Sequence, residues 1–198
     1  EITFRFVELT GRKKKEFISI AGLEELQARS EYLPEGAAAK GVGTCLNALQ
    51  SDAPLRLLYI EEHGASGMYG PWDDEQGTSK MSLALLSQNI SEKSASAGGA
   101  FGHGKSVNAM ASKIRLNIAY SCFPEHLADS GVTTRLLGVA YWPKYQIDAP
   151  RYTGFGLMGD IQSSGNQQIV EPWTNEAANA LATSLGCELR KPSIREHC

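Results

Sequence analysis

The chain opens on alternation. Ile2, Phe4 and Phe6 fall on one face and Thr3, Arg5 and Val7 on the other, the period of a half-buried strand over Ile2–Leu9. Gly11 and the basic run Arg12-Lys13-Lys14-Lys15 end it, and that run reads as a solvated turn. The period then changes. Phe17, Ile20, Leu23 and Leu26 recur at threes, predicting a helix over 16–32 that Gly22 weakens. Residues 34–43, with three glycines and three consecutive alanines, read as a loop, and 44–49 as a short helical turn. The strongest strand of the first half is 55–60, nearly continuous in apolar character and therefore expected at the centre of a sheet.

In the second half, 81–89 predicts a helix leading into a polar, small-residue segment with the composition of a lid. Beyond a further helix at 107–113, two apolar runs, 114–123 and 134–142, are joined by turn residues and predict an antiparallel pair. Residues 152–159, carrying Gly154, Gly156 and Gly159, read as irregular or as a bulged edge strand. Ala178, Leu181, Ala182 and Leu185 mark a last helix over 175–185, with Thr174 as N-cap and Gly186 as its stop.

At 198 residues this succession fits one domain. A net charge of -3 and a single four-residue basic run give no electrostatic footprint for nucleic acid. No apolar run approaches a membrane span. Cys45, Cys122, Cys187 and Cys198 lack paired spacing for zinc or redox chemistry, and with His126 and His197 they form no ligand constellation; reduced thiols in a cytoplasmic protein are the expectation. Trp72, Trp142 and Trp173 read as packing residues.

Two glycine-rich stretches carry the candidate chemistry. The first follows the 55–60 strand: Glu61-Glu62-His63-Gly64-Ala65-Ser66-Gly67-Met68-Tyr69-Gly70-Pro71, a loop whose backbone must come close to something. The second, Gly98-Gly99-Ala100-Phe101-Gly102-His103-Gly104-Lys105-Ser106, opens a predicted helix. Glycines let N–H groups turn toward an anion, a helix start adds partial positive charge and Lys105 adds a full one, which together make a polyphosphate cradle. Gly99 to Ser106 also matches the P-loop expression, although polar, small residues precede it where a P-loop needs a buried strand. A carboxylate at the strand end, Glu61 or Glu62, can accept the exocyclic amine of adenine. His63 and His103, inside the loops, read as local hydrogen-bonding groups.

In that order, an acid-tipped strand, Gly-x-x-Gly, a helix and lid, then a second glycine loop opening a helix, the chain resembles the GHKL (Bergerat-fold) ATPases. That superfamily includes heat-shock chaperones, DNA gyrase B, MutL, histidine kinases and MORC proteins; the wording here is most like bacterial and MORC-like members, and the resemblance is strongest over 55–142. It implies an α/β (α+β) two-layer sandwich, with a mixed, largely antiparallel sheet and helices on one face. It also implies a single ATP-binding domain over 1–198 with ATP and Mg2+ as ligands. By position, Glu62 stands for the adenine-reading aspartate, one methylene longer. Gly64 and Gly67 stand for the glycines beside the base and Met68 for the apolar residue after them. Gly98, Gly99, Gly102 and Gly104 match the phosphate-wrapping motif, with Lys105 a phosphate contact and Ser106 a helix-start donor. The family's water-activating glutamate and, four residues on, its magnesium-binding asparagine have no counterpart before Leu55, so a catalytic helix preceding Glu1 is expected. Lid closure, homodimerisation and action as a conformational clamp on a client protein or nucleic acid follow from the resemblance, in a setting such as bacterial defence or DNA transactions.

Two other readings stand beside it. A P-loop phosphotransferase built on Gly99 to Ser106 requires a parallel sheet and a strand immediately before Gly98. A degenerate domain would bind a partner without turning over nucleotide.

Overall fold

A computed structural model of the chain describes residues 1–72, 79–86, 104–128, 130–164 and 167–189. The first half contains β1 (Ile2–Leu9), α1 (Gly11–Ile20), α2 (Leu23–Ser30), α3 (Ala37–Asn47) and β2 (Leu55–Glu62). The second contains α4 (Gly104–Ala111), β3 (Leu116–Cys122), β4 (Thr134–Tyr141), β5 (Tyr145–Gln146), β6 (Arg151–Tyr152), β7 (Phe155–Met158), β8 (Asp160–Ser164), β9 (Gln167–Glu171), β10 (Trp173–Thr174) and α5 (Asn175–Ser184). Helices and antiparallel sheets both contribute, an α+β architecture.

β4 is the spine, buried from Thr134 to Ala140. β3 pairs along one edge and β10 and β7 share the other, all antiparallel. Because side chains alternate across a strand, β4 serves two cores. Leu136 and Ala140 join Ile18, Leu23, Leu46, Ala178 and Ala182 from α1, α2, α3 and α5. Leu137 and Val139 join Met81 and Leu85, the latter from a wide helical turn at Ser82–Leu86. Each fully buried Leu or Val contributes about 1.5–3 kcal/mol of transfer free energy. Gly138 lets β7 close on β4, since a Cβ there would lie 2.8 Å from that of Met158.

Several local readings match the fold. β3 and β4 form the antiparallel pair, and α5 ends before Gly186 at φ +78°, whereas the single helix expected over 16–32 is two, α1 from Gly11 and α2, divided at Gly22 with φ +61°. Thr174 precedes α5 in extended backbone, but its side chain makes no capping bond. The wide turn at Ser82–Leu86 occupies part of the helix expected over 81–89, whose remainder lies outside the described residues.

Other expectations are corrected. The 55–60 run is not a sheet centre: β2 pairs with β1 alone among the described residues. Leu55, Leu57 and Tyr59 turn inward, whereas Leu58 and Ile60 turn outward. On β1, Arg5, Val7 and Leu9 turn inward and Ile2, Phe4 and Phe6 outward. Instead of one mixed sheet, the described strands form four small ones, and every ladder is antiparallel. The expected loop over 34–43 is helical from Ala37, where three alanines offset the glycines. The polar β8–β9 hairpin carries too little alternation of apolar residues to be read from sequence.

The basic run belongs to α1 rather than to a turn. Lys14 is buried, and its Nζ donates to the carbonyls of Ser51 at 2.6 Å and Ala53 at 2.8 Å, pinning the helix to the chain entering β2. Lys14→Ala leaves both acceptors without their donor, and urea unfolding should show a loss of about 1–3 kcal/mol. Substitution of exposed Lys15 should change stability by less than about 0.5 kcal/mol.

Candidate functional site

The two acids at the end of β2 face opposite ways. Glu61 turns inward and accepts from Arg5 Nη2 at 2.9 Å; the same nitrogen donates to Gly186 O at 2.9 Å, and the guanidinium lies 4.0 Å from the Tyr59 ring centroid. Tyr59 OH in turn donates to Leu185 O at 2.8 Å, and burial raises its pKa. Glu61 is thereby committed to tying the β1–β2 ribbon to the end of α5. Glu62 is exposed.

After β2 the chain crosses the ends of β3 and β4. Gly64, Gly67 and Gly70 all have left-handed backbone, at φ +81°, +79° and +92°. The close approach expected of this loop is made to the chain's own backbone: a Cβ on Gly67 would stand 2.5 Å from Cys122 O and 3.0 Å from Phe123 Cβ. Met68 N–H donates to Ser121 Oγ at 2.7 Å, and the Met68 side chain packs on the cluster around Leu137 and Val139. Arg135, 3% exposed on β4, donates through Nη1 to Gly70 O and lies 5.4 Å from the Phe123 ring centroid.

The second motif lies partly outside the described residues, among them Gly98, Gly99, Gly102 and His103. Gly104, Lys105 and Ser106 form the first turn of α4, where backbone N–H groups have no intrahelical acceptor. α4 docks through Asn117. With its amide oriented to satisfy its neighbours, Asn117 donates to Asn108 O at 3.1 Å and accepts from Ala109 N–H at 3.2 Å.

Asn117, Ala119 and Ser121 alternate along one face of β3. Asn117 holds α4 at Asn108 and Ala109, Ser121 holds Met68 and Ala119 packs in the same cluster as Met68, so the helix that follows the second motif and Met68 of the first are anchored on one face of β3, at positions about 13 Å apart by strand rise. Sequence reasoning missed Asn117, Ser121 and Arg135. Their signal was polar residues at alternate positions in otherwise apolar strands.

A separate cleft of about 530 Å³ opens beside α5, lined by Glu125, Thr133, Asn175, Asn179 and Thr183 among others, and contains none of the residues singled out from sequence. Its polar groups largely satisfy one another. Asn175 Oδ1 accepts from Thr133 N–H at 3.0 Å, its Nδ2 donates to Gly131 O at 3.1 Å, and Asn179 accepts from Tyr120 OH at 2.8 Å.

No protein-family model, curated protein or solved structure matches this chain. Burial pushes the Cys122 and Cys187 thiols up from their ordinary pKa, away from the thiolate a nucleophile needs. Among the described residues no three His, Cys, Asp or Glu side chains group to hold a metal ion.

Proposed function

We propose that this chain is an adenine-nucleotide-binding domain of the GHKL type, taking ATP with Mg2+ between the segment after β2 and the start of α4. The observation that carries this reading is the shared face of β3, on which Ser121 fixes Met68 and Asn117 fixes α4. An extended nucleotide bridges that span. With Glu61 taken up by Arg5, the exposed Glu62 is the acid available to accept the adenine amine, directly or through water. The first-turn amides of α4, with Lys105 and Ser106, meet the phosphates. Mg2+ would enter with those phosphates, since the described residues offer no carboxylate cluster of their own. When bound, the ion neutralises phosphate charge. No general base is assigned within the chain, so binding rather than hydrolysis is the activity proposed for it.

By resemblance, two such domains pair as a nucleotide-controlled clamp, and the client belongs to that wider assembly. The antiparallel ladders weigh against the P-loop reading, which needs a parallel sheet. The internal contact of Gly67 favours the degenerate, non-catalytic interaction domain, because it gives that glycine a packing role without a ligand.

A thermal-unfolding titration with ATP, ADP and a non-hydrolysable analogue, with and without Mg2+, tests the reading. At about 100 times the dissociation constant, ligand should add about 2.7 kcal/mol. Lys105→Ala and Glu62→Ala should each diminish that gain. No shift with any nucleotide, or a shift intact in both variants, refutes the site.

A further inference from the structure

We infer that Asn117 is a positioning residue for phosphate recognition: its amide, rather than apolar packing, sets the direction of α4 and so of the N–H groups at the helix start. This rests on the nucleotide reading above, and it makes the phosphate end of that site depend on a side chain that need not touch the ligand. An eight-residue helix is not stable by itself, and in a folded domain a buried apolar face normally holds it. α4 has little of one. Val107 is 59% exposed and Met110 66%; Ala109 is buried but offers a single methyl group, and neither core cluster includes a described residue of α4.

Two polar attachments take the place of that face. Just past the helix, Ser112 Oγ accepts from Leu116 N–H at 3.1 Å and Ser112 O accepts from Arg115 N–H at 3.0 Å, a tight turn that fixes where α4 meets β3. A helix held at one end can still swing. One turn earlier, the Asn117 amide donates to Asn108 O at 3.1 Å and Leu116 O at 3.3 Å and accepts from Ala109 N–H at 3.2 Å, a second point that fixes the axis. Gly104 lies about 10 Å from Ala111 by helical rise, so a tilt of about 10° moves the first-turn N–H groups by about 2 Å, enough to break a hydrogen bond to phosphate. Packing alone does not call for an amide at 117. Its cross-strand partner is Val139, fully buried with Met81, Leu85 and Leu137, and an apolar residue would suit those neighbours; the amide adds direction.

Asn117→Leu tests this, because it keeps nearly the same side-chain volume and removes all three hydrogen bonds. Asn108 O retains Ser112 N–H at 3.3 Å, so far-UV circular dichroism and the unfolding midpoint should change little. Calorimetric titration of the 198-residue chain with Mg2+ should show ATP bound at least about tenfold more weakly, the loss of an aligned hydrogen bond to a charged group, and adenosine bound within about twofold of its original affinity. Asn117→Asp, which keeps the acceptor for Ala109 N–H and loses the donor to Asn108 O, should weaken ATP in the same way. Without nucleotide, Ala109 N–H should lose protection from exchange in Asn117→Leu, while Met68 N–H, held by Ser121, keeps it. ATP affinity unchanged in both variants, equal losses for ATP and adenosine, or unaltered exchange at Ala109 would overturn the inference and leave the nucleotide reading standing. An unsubstituted chain that binds no ATP would overturn both.

Discussion

Replacing Gly67 with valine is expected to lower the free energy of unfolding by about 4 kcal/mol, a large fraction of what a domain this size has. Two costs add. At φ +79° an L side chain is strained by about 1–2 kcal/mol, and β-branching makes this worse. The new Cβ would also stand 2.5 Å from Cys122 O, a backbone atom of a strand whose Cys122 is paired with Thr134 and so has little room to retreat. Such overpacking costs about 1–3 kcal/mol. Gly131 separates the two costs, because it has nearly the same φ, +77°, and nothing lies within 4 Å of where its Cβ would stand. Gly131→Ala should therefore lose only about 1 kcal/mol and Gly67→Ala about 3 kcal/mol in matched urea titrations. Equal losses at the two positions would show that the contact with Cys122 is unimportant.

Arg135→Ala should cost about 3–5 kcal/mol, on the scale of truncating a buried, hydrogen-bonded charge. It removes the donor to Gly70 O and the cation resting on Phe123, and leaves a cavity beside β4 where the native side chain is 3% exposed. Arg135→Met, which keeps the volume without the donors, should lose less. Amide exchange provides the local readout: Met68 N–H, held by Ser121 Oγ, should lose protection in either variant more than amides of α5 do. Because Arg135 and Gly67 anchor one short loop at its two ends, Gly67→Ala combined with Arg135→Ala should be less destabilising than the two losses added. Strict additivity would indicate that the loop is not held as a unit.

The candidate site was only partly legible in the residues. The Gly64 to Gly70 loop was recognisable because positive φ is a local demand that glycine meets, and all three of its glycines have left-handed backbone. What the loop approaches was not legible, since the contact with Cys122 joins segments more than fifty residues apart. The same holds for Asn117 and Ser121, whose roles depend on which face of β3 receives α4 and Met68.

The sequence by itself determined the features whose physics is local: the weak point at Gly22, the β3–β4 pair and the end of α5 at Gly186. Periodicity, left-handed glycines and turn residues act within a few positions of themselves. Only tertiary structure decided which side of a two-faced strand is covered. Ile2, Phe4 and Phe6 form an unbroken apolar stripe, yet Arg5 faces inward, where its Nη2 donates to both Glu61 and the Gly186 carbonyl and its guanidinium lies over Tyr59. Lys14 is buried for the same reason, two carbonyls from a distant turn taking the place of water. Burial of a charge depends on partners that the fold alone brings together.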